Sequence, residues 1–516
     1  MKLTLDEPIE LMSDSEMILM CEQNVRGGVS FVNERHVQLK NYTKKPAGTN
    51  LDDKIQDQLL YIDVNNLYSV AQSAPLPHHG YAWCSEKDIE ILTREILNIN
   101  IDNDVGFILE VDLEYPEELH ELHASLPFLP QQELFTFDDL SPFSQKSMEI
   151  LQGKNRAKNY KATKLVTNLK NKKSYVIHYR MLQTCLRAGL KLKKIRRGIK
   201  FYQSRYLKIF IDLCTNKRKN AKSPFIKMLM KLFMNSVYGK FLQNNRAHFE
   251  VKICTKQTLF KKYFSAVNYK GHRILSTNVV AVFLNKTFIK LDRLYATGFS
   301  ILDLSKNHMY KAWYEYIQPQ LGPENVSVSL TDTDSLILHI KNMSRNEVMD
   351  RIKDCMDFSN YPSSHALYSD SRKAIPGYFK DENAGNYMVE LVGLKSKCYV
   401  TKVLDSGKTI RREHVVCKGV SKPARNAITL KTFRNVVQNF RKIYVTMHSI
   451  RSNKHQLYTQ ELKKLALSTT DDKRHLLNCG IHTLPHGSTI SSVNCSQCSF
   501  TPHFSPHQNA PLVSQS

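Results

Sequence analysis

The sequence predicts an α+β protein built from several subdomains. Three observations carry that prediction. The chain has 516 residues, 42% of them hydrophobic and 23% charged, enough to bury cores for roughly three or four domains. Strand-like runs and longer helical stretches follow one another along it. The clearest strand pair, Val326-Ser327-Val328-Ser329-Leu330 and Leu336-Ile337-Leu338-His339-Ile340, flanks Thr331-Asp332-Thr333-Asp334-Ser335 and predicts a β-hairpin with carboxylates at its tip.

The remaining elements follow in chain order. A helix is predicted from Ser13 to about Gln23, then the glycine pair Gly27-Gly28 and an irregular polar stretch. Leu59-Leu60-Tyr61-Ile62 predicts a short buried strand ending at Asp63, after which Asn65-Asn66 turns the chain into a short helix. Residues 78–150 are acidic and mixed, with a strand over 106–111. From about 175 to 245 the pattern reads as helical and strongly basic. There Ser223 and Pro224 suit a helix N-cap and first position, and Gly239 suits its end. Residues 276–315 read as two more helices, rich in Leu, Phe, Tyr and Ala. Beyond about 487 a Ser-, Pro- and His-rich tail predicts disorder. Cys495, Cys498, His503 and His507 have the spacing of a compact zinc knuckle, but the surrounding composition favours a disordered tail.

Composition excludes several classes. No apolar run reaches the roughly 18 residues that span a bilayer, so no membrane partner is expected. The N-terminus lacks a secretory pattern, and 11 mostly isolated cysteines do not make a disulfide framework. An intracellular, reduced protein is expected.

Charge is more informative. Lys plus Arg exceed Asp plus Glu by 25, unevenly. Residues 1–150 hold 27 acids and 10 bases, whereas residues 153–222 hold 22 bases and one acid, Asp212. A polyanion such as nucleic acid is the simplest reason to tolerate that block, which includes the run 191–200. A nuclear-import signal or a solvated face is the plainer reading. DNA contact is favoured.

Three constellations carry chemistry. Asp332 and Asp334, two apart at a tight turn, concentrate negative charge that a divalent cation, Mg²⁺ above all, would relieve. Asp63 at a strand end supplies the third carboxylate of a two-metal phosphoryl-transfer site. On the helix after Ser223, Lys227, Lys231, Asn235 and Tyr238 fall on one face, with Phe225, Leu229, Leu232 and Phe233 round the other side. Such a cationic stripe ending in an aromatic ring suits a triphosphate and a base pair. Arg218 and Lys222, four apart just upstream, are placed to face the same phosphates.

Order and content of these elements resemble family B DNA polymerases. Asp63 to Tyr68 matches motif A, Lys231 to Gly239 motif B (K-x-x-x-N-S-x-Y-G), and Asp332 to Ser335 motif C (D-T-D-S). Lys397-Cys398-Tyr399 matches the K-x-Y motif, and Arg26-Gly27-Gly28 the glycine pair of Y-x-G-G, with Val25 in the tyrosine's place. Longer stretches, including Asn65-Asn66-Leu67-Tyr68, Gly106 to Pro116 and Asp471-Asp472-Lys473-Arg474, resemble the polymerases of Polinton (Maverick) transposons and related viruses, of the protein-primed branch. Ser69 and Ser329 depart from family preferences, and neither removes a carboxylate.

The resemblance implies a right-hand fold: a palm with an antiparallel sheet, helical fingers and a thumb. It divides the chain into an N-terminal remnant (1–58), a first palm part (59–77), an insertion suited to terminal-protein or DNA contact (78–174), fingers (175–245), a second palm part (246–400), a thumb (401–487) and a tail (488–516). Asp63, Asp334 and Asp332 would hold two Mg²⁺ ions, with Mn²⁺ as a substitute. Lys231, Arg218 and Lys222 would grip the triphosphate, and Tyr68 would reject a 2′-hydroxyl. Asn235, Tyr238 and Gly239 would border the base pair. Lys397, Tyr399, Gly27 and Gly28 would hold primer and template. The implied partners are primer-template DNA, dNTPs and a terminal protein, in replication of a mobile element or virus, in the nucleus. The D-x-E and Y-x-x-x-D motifs of a 3′–5′ exonuclease are not found ahead of the glycine pair, and Asp112-x-Glu114 lies downstream of motif A, so no proofreading is expected. The rivals are an inactive nucleic-acid-binding relic and a reverse transcriptase. The intact carboxylates oppose the first, and motif B with Lys397 and Tyr399 opposes the second.

Overall fold

The computed structural model describes residues 8–39, 57–404, 411–453 and 456–489. Cys495, Cys498, His503 and His507 lie outside the described residues, as does nearly all of the tail. Among the described residues no helix is long and apolar enough to cross a membrane.

The central element is a nine-stranded antiparallel sheet. Its main path runs Ser30–Val32, Val326–Asp332, Ser335–Ile340, Gln58–Val64, Tyr387–Lys395, Cys398–Leu404 and Arg411–Cys417. Phe379–Asp381 adds to the edge of Gln58–Val64, and His36–Gln38 pairs with Tyr387–Lys395. The apolar alternation that predicted the hairpin fixes its register: Thr331 faces Leu336 and Val326 faces Ile340. Ser335 then lies opposite Asp63. Helix Tyr295–Lys311, whose residues are nearly all buried, contributes Met309 and Tyr310 to one core with Leu60, Ile62 and Leu336 of the sheet, and Trp313 beyond it is fully enclosed.

The segment expected to form the fingers contains a helical hairpin, Lys208–Asn220 and Pro224–Phe241. Ile211 and Cys214 of the first helix pack on Met230 and Met234 of the second. The helix therefore turns another face inward than its sequence predicts: Phe225, Leu232 and Phe233 are exposed. It also runs two residues past Gly239, to Phe241.

Two segments read as helical are strands. Residues 191–204 form one 14-residue strand, between Val105–Glu114 and Leu76–Trp83 in a four-stranded sheet completed by Lys172–His178. That sheet joins both sides of the expected 174/175 boundary, and the helical fingers begin only at Lys208. Likewise Val279–Asn285 is the middle strand of a sheet with Phe249–Cys254 and Tyr269–Ser276, where a helix was expected. Its run of Val-Val-Ala-Val-Phe suits a pleated surface better than a helix, because β-branched side chains lose rotamers in a helix.

The strand 191–204 also corrects the reading of its charge. Arg196 pairs with Asp112 at 2.7 Å, Arg197 with Glu110 at 2.6 Å, Lys193 with Glu114, and Lys200 with Asp88 at 2.8 Å. The basic block and the acidic block before it are neighbours in space, so much of the self-repulsion is relieved within one sheet. Each exposed pair contributes no more than about 1 kcal/mol. Asp112 and Glu114 serve here as partners of basic side chains.

Candidate active site

Asp63 is the penultimate residue of strand Gln58–Val64. The Val64 amide donates to the Asp334 carbonyl at 2.8 Å, so the two acidic residues meet at the same end of paired strands. The turn between Asp332 and Ser335 is tight: Thr333 has φ +69°, and the Asp334 amide donates to the Asp332 carbonyl at 2.9 Å. Burial pushes the Asp63 carboxyl up to about 8, with the Asp334 and then the Glu382 charge adding to it. Burial and Asp332 push Asp334 up as well. Lys231 acts in the opposite sense on Asp63, Asp334 and Glu382, so helix Pro224–Phe241 presents a cation to all three. Asp332 is paired instead with Lys397.

Glu382 carries no motif and was missed. It follows strand Phe379–Asp381, and its amide donates to the Tyr61 carbonyl at 2.9 Å. Only the pairing of Phe379–Asp381 with Val64, Asp63 and Ile62 brings it to the site. An acid next to Asp381 at the end of a three-residue strand gives no signal of its own in the sequence.

The other expected residues divide into two groups. Tyr68, in helix Leu67–Gln72, stacks on Tyr238 with ring centroids 4.2 Å apart and planes at 21°. Asn66 adopts φ +48° to start that helix and donates to the Met234 sulfur at 3.4 Å, while Gln72 donates to the Met234 carbonyl at 3.1 Å. Motifs A and B are thus held together around Met234. The Asn235 Oδ1 is buried with no hydrogen-bond partner among the described residues. Tyr399 is buried, its hydroxyl 2.9 Å from that of Tyr61. Gly28 backs the D-T-D turn: a Cβ there would sit 2.7 Å from Thr333 Oγ1, and the Thr333 amide donates to the Val29 carbonyl at 2.8 Å. These residues meet at or beside the carboxylates.

Two residues stand apart. Arg218 ends helix Lys208–Asn220 and Lys222 lies in the link to the next helix, at the tip of the fingers, about two turns from Lys231. Gly27 precedes Gly28 directly, and a Cβ added to it would meet nothing within 4 Å.

A cleft of about 380 Å³ opens on the carboxylates. Tyr61, Asp63, Asp332, Asp334 and Tyr399 line it with His414 and Cys417 from the edge strand and Arg425 from the short helix that follows. Among the described residues no group of three His, Cys, Asp or Glu side chains is already arranged as a metal cage. The donor set nevertheless suits a hard divalent cation. Asp63 and Asp334 are close, partly buried and mutually repelling, and oxygen ligands of this kind favour Mg²⁺.

Comparison with known proteins agrees with this geometry. Residues 48–280 match the family described as DNA polymerase type B, organellar and viral. No curated protein matches the chain. Among solved structures, Phi29 DNA polymerase complexed with primer-template DNA is similar, with TM-score 0.51, 15% identity, and coverage of 89% of this chain and 64% of that one. The ternary complex of Phi29 DNA polymerase with primer-template DNA and incoming nucleotide substrates gives TM-score 0.51, 16% identity and the same coverage. The chain thus spans 64% of the length of the solved polymerase it matches, and the likeness is one of fold. Over residues 48–280 the chain is similar to the organellar and viral type B DNA polymerases, and its fold is a right-hand polymerase fold like that of Phi29 DNA polymerase.

Proposed function

We propose that this chain is a DNA-templated DNA polymerase that adds deoxynucleotides to a primer 3′-hydroxyl with the help of divalent cations, Mg²⁺ first. The observation that carries this reading is the convergence of Asp63 and Asp334, on paired strands, with Lys231 from the fingers. Bound there, two such ions would lower the pKa of the attacking hydroxyl and neutralise charge on the leaving pyrophosphate. The chain's own part is positioning and electrostatics. Asp63 and Asp334, with Asp332 close by, would hold the ions, and Asp332 also pairs with Lys397. Lys231 neutralises phosphate charge from the fingers. Tyr399, fixed by Tyr61, and Lys397 border the primer end. Priming by a terminal protein, with residues 78–174 as its contact region, is part of the same proposal and rests on the resemblance to protein-primed polymerases. The test is extension of a labelled primer on a DNA template by the purified chain with Mg²⁺ and dNTPs. Absence of extension by folded protein would overturn the reading.

Two predictions arise from residues beside the carboxylates. Tyr68 stacks on Tyr238, so its ring is held where motif A turns from strand to helix. A fixed ring beneath the incoming sugar excludes a 2′-hydroxyl. Tyr68→Ala should therefore reduce the dNTP/rNTP preference at least about tenfold, roughly 1.4 kcal/mol. An unchanged ratio with a lowered melting temperature would mean that Tyr68 only packs the turn.

Gly28 is the second. Any Cβ there presses on Thr333, the residue between the two aspartates of the hairpin. Gly28→Ala should cost about tenfold to 10²-fold in extension rate, the scale of a displacement of about 1 Å at a reacting centre. Adding Thr333→Gly removes the clashing side chain at a position whose φ already suits glycine, and should restore most of the loss. Equal activity of Gly28→Ala and the parent would show that the turn yields freely.

A further inference from the structure

Cys398 and Cys417 are register partners on the neighbouring antiparallel strands Cys398–Leu404 and Arg411–Cys417. The Lys418 amide donates to the Lys397 carbonyl at 3.2 Å, so the adjacent residue pair is hydrogen-bonded. The two cysteines therefore occupy a non-hydrogen-bonded position, where Cα atoms stand about 4.5 Å apart. A disulfide accepts Cα separations of about 4.4 to 6.8 Å. Both thiols are free, and they hydrogen-bond to one another.

Their chemistry is unequal. The Cys398 thiol donates to the Cys417 sulfur, and Lys395, Lys464 and Arg425 add positive charge around it. Together these outweigh burial and hold the Cys417 thiol below its ordinary range, while Cys398 is pushed up. Cys417 is only 4% exposed and packs with Cys398 in one buried core, and it is also one of the residues that line the carboxylate cleft. Cys21 differs: it is wholly buried, and burial alone pushes its thiol up to about 12.

We propose that Cys398 and Cys417 form a reversible dithiol–disulfide site in the wall of the cleft, oxidised by hydrogen peroxide. The Cys417 thiolate attacks one peroxide oxygen, the O–O bond breaks, and the departing hydroxide takes a proton to become water. Cys417 is then a sulfenic acid, oxidised by two electrons. Cys398 gives up its proton as its sulfur attacks that of Cys417, and hydroxide leaves as a second water. Two thiols and one peroxide thus yield one disulfide and two waters. The bridge would lie between Lys397, which pairs with Asp332, and Tyr399, which meets Tyr61. It would also end the donation of the Cys417 thiol to the Ala466 carbonyl at 3.5 Å.

The test is intact-mass analysis and peptide mapping of the full chain after brief treatment with hydrogen peroxide. The expected result is a loss of about 2 Da, the two thiol hydrogens, with one cross-linked peptide joining Cys398 to Cys417 and full reversal by dithiothreitol. Cys398→Ser removes the resolving thiol, so Cys417 should proceed to the sulfinic acid with a gain of about 32 Da. Should that variant not fold, differential alkylation of the parent decides, since both cysteines must lose reactivity together. Oxygen addition to the parent without a link, or links among other cysteines with Cys398 and Cys417 still reduced, would overturn the proposal. None of these readouts requires nucleotide addition, so the outcome is independent of the proposed function.

Discussion

Replacing Asp63 or Asp334 by Asn is expected to lower nucleotide addition by about 10³-fold or more while leaving primer-template binding nearly intact. The two side chains meet at the end of paired strands in a cleft where burial and mutual repulsion oppose their charge. Structure alone would avoid that arrangement, and a bound cation makes it favourable. Removing one carboxylate should cost several kcal/mol of transition-state stabilisation, and about 4 kcal/mol corresponds to the stated factor. The fold should tolerate the change, since Asn keeps the shape and relieves repulsion. Rates are read by primer extension and binding by fluorescence anisotropy of labelled DNA. A variant that extends primers at close to the parental rate would place the catalytic carboxylates elsewhere.

Asp381→Ala is expected to destabilise the fold by about 3 to 5 kcal/mol, the cost of breaking a buried ion pair. Asp381 is completely buried and accepts from Arg345 at 2.7 Å, from the Tyr361 hydroxyl at 3.0 Å, and from the amides of Asn383 and Gly385 at 2.9 Å each. It thereby ties helix Arg345–Ile352 to the strand that flanks Asp63 and carries Glu382 at its end. Asp381→Asn keeps part of that hydrogen bonding and should lose less. Urea unfolding monitored by circular dichroism measures both variants. Equal midpoints for parent and Asp381→Ala would show that water replaces the carboxylate at no cost.

What was legible in the sequence was local. The hairpin 326–340 could be read because strict alternation is interrupted only by the acidic turn, and the fingers helix because Ser223 and Pro224 mark its start. The strand 191–204 could not. Its buried apolar residues serve two cores, Ile195 one and Ile199 with Phe201 another, because a β-bulge shifts the register against Val105–Glu114 between them. Its basic side chains looked like a polyanion surface because their acidic partners lie about 80 residues upstream, beyond the reach of any local pattern. At the candidate site the carboxylates on sheet ends announced themselves by spacing. Glu382 is brought in by strand pairing alone, and the Tyr68–Tyr238 stack by the packing of two helices round Met234. Arg218 and Lys222 have the right spacing but stand at the tip of the fingers, because the helix ends at Asn220 before both can share a face.

The central claim is that Asp63 and Asp334 catalyse templated addition of deoxynucleotides. Single-nucleotide insertion tests it most directly: the purified chain, a primer-template presenting each of the four bases in turn, Mg²⁺, and one dNTP at a time. Extension by one residue is expected only with the complementary dNTP, and that product should be lost in Asp334→Asn. Folded chain that binds the DNA and adds nothing, or adds nucleotides without regard to the template base, would contradict it.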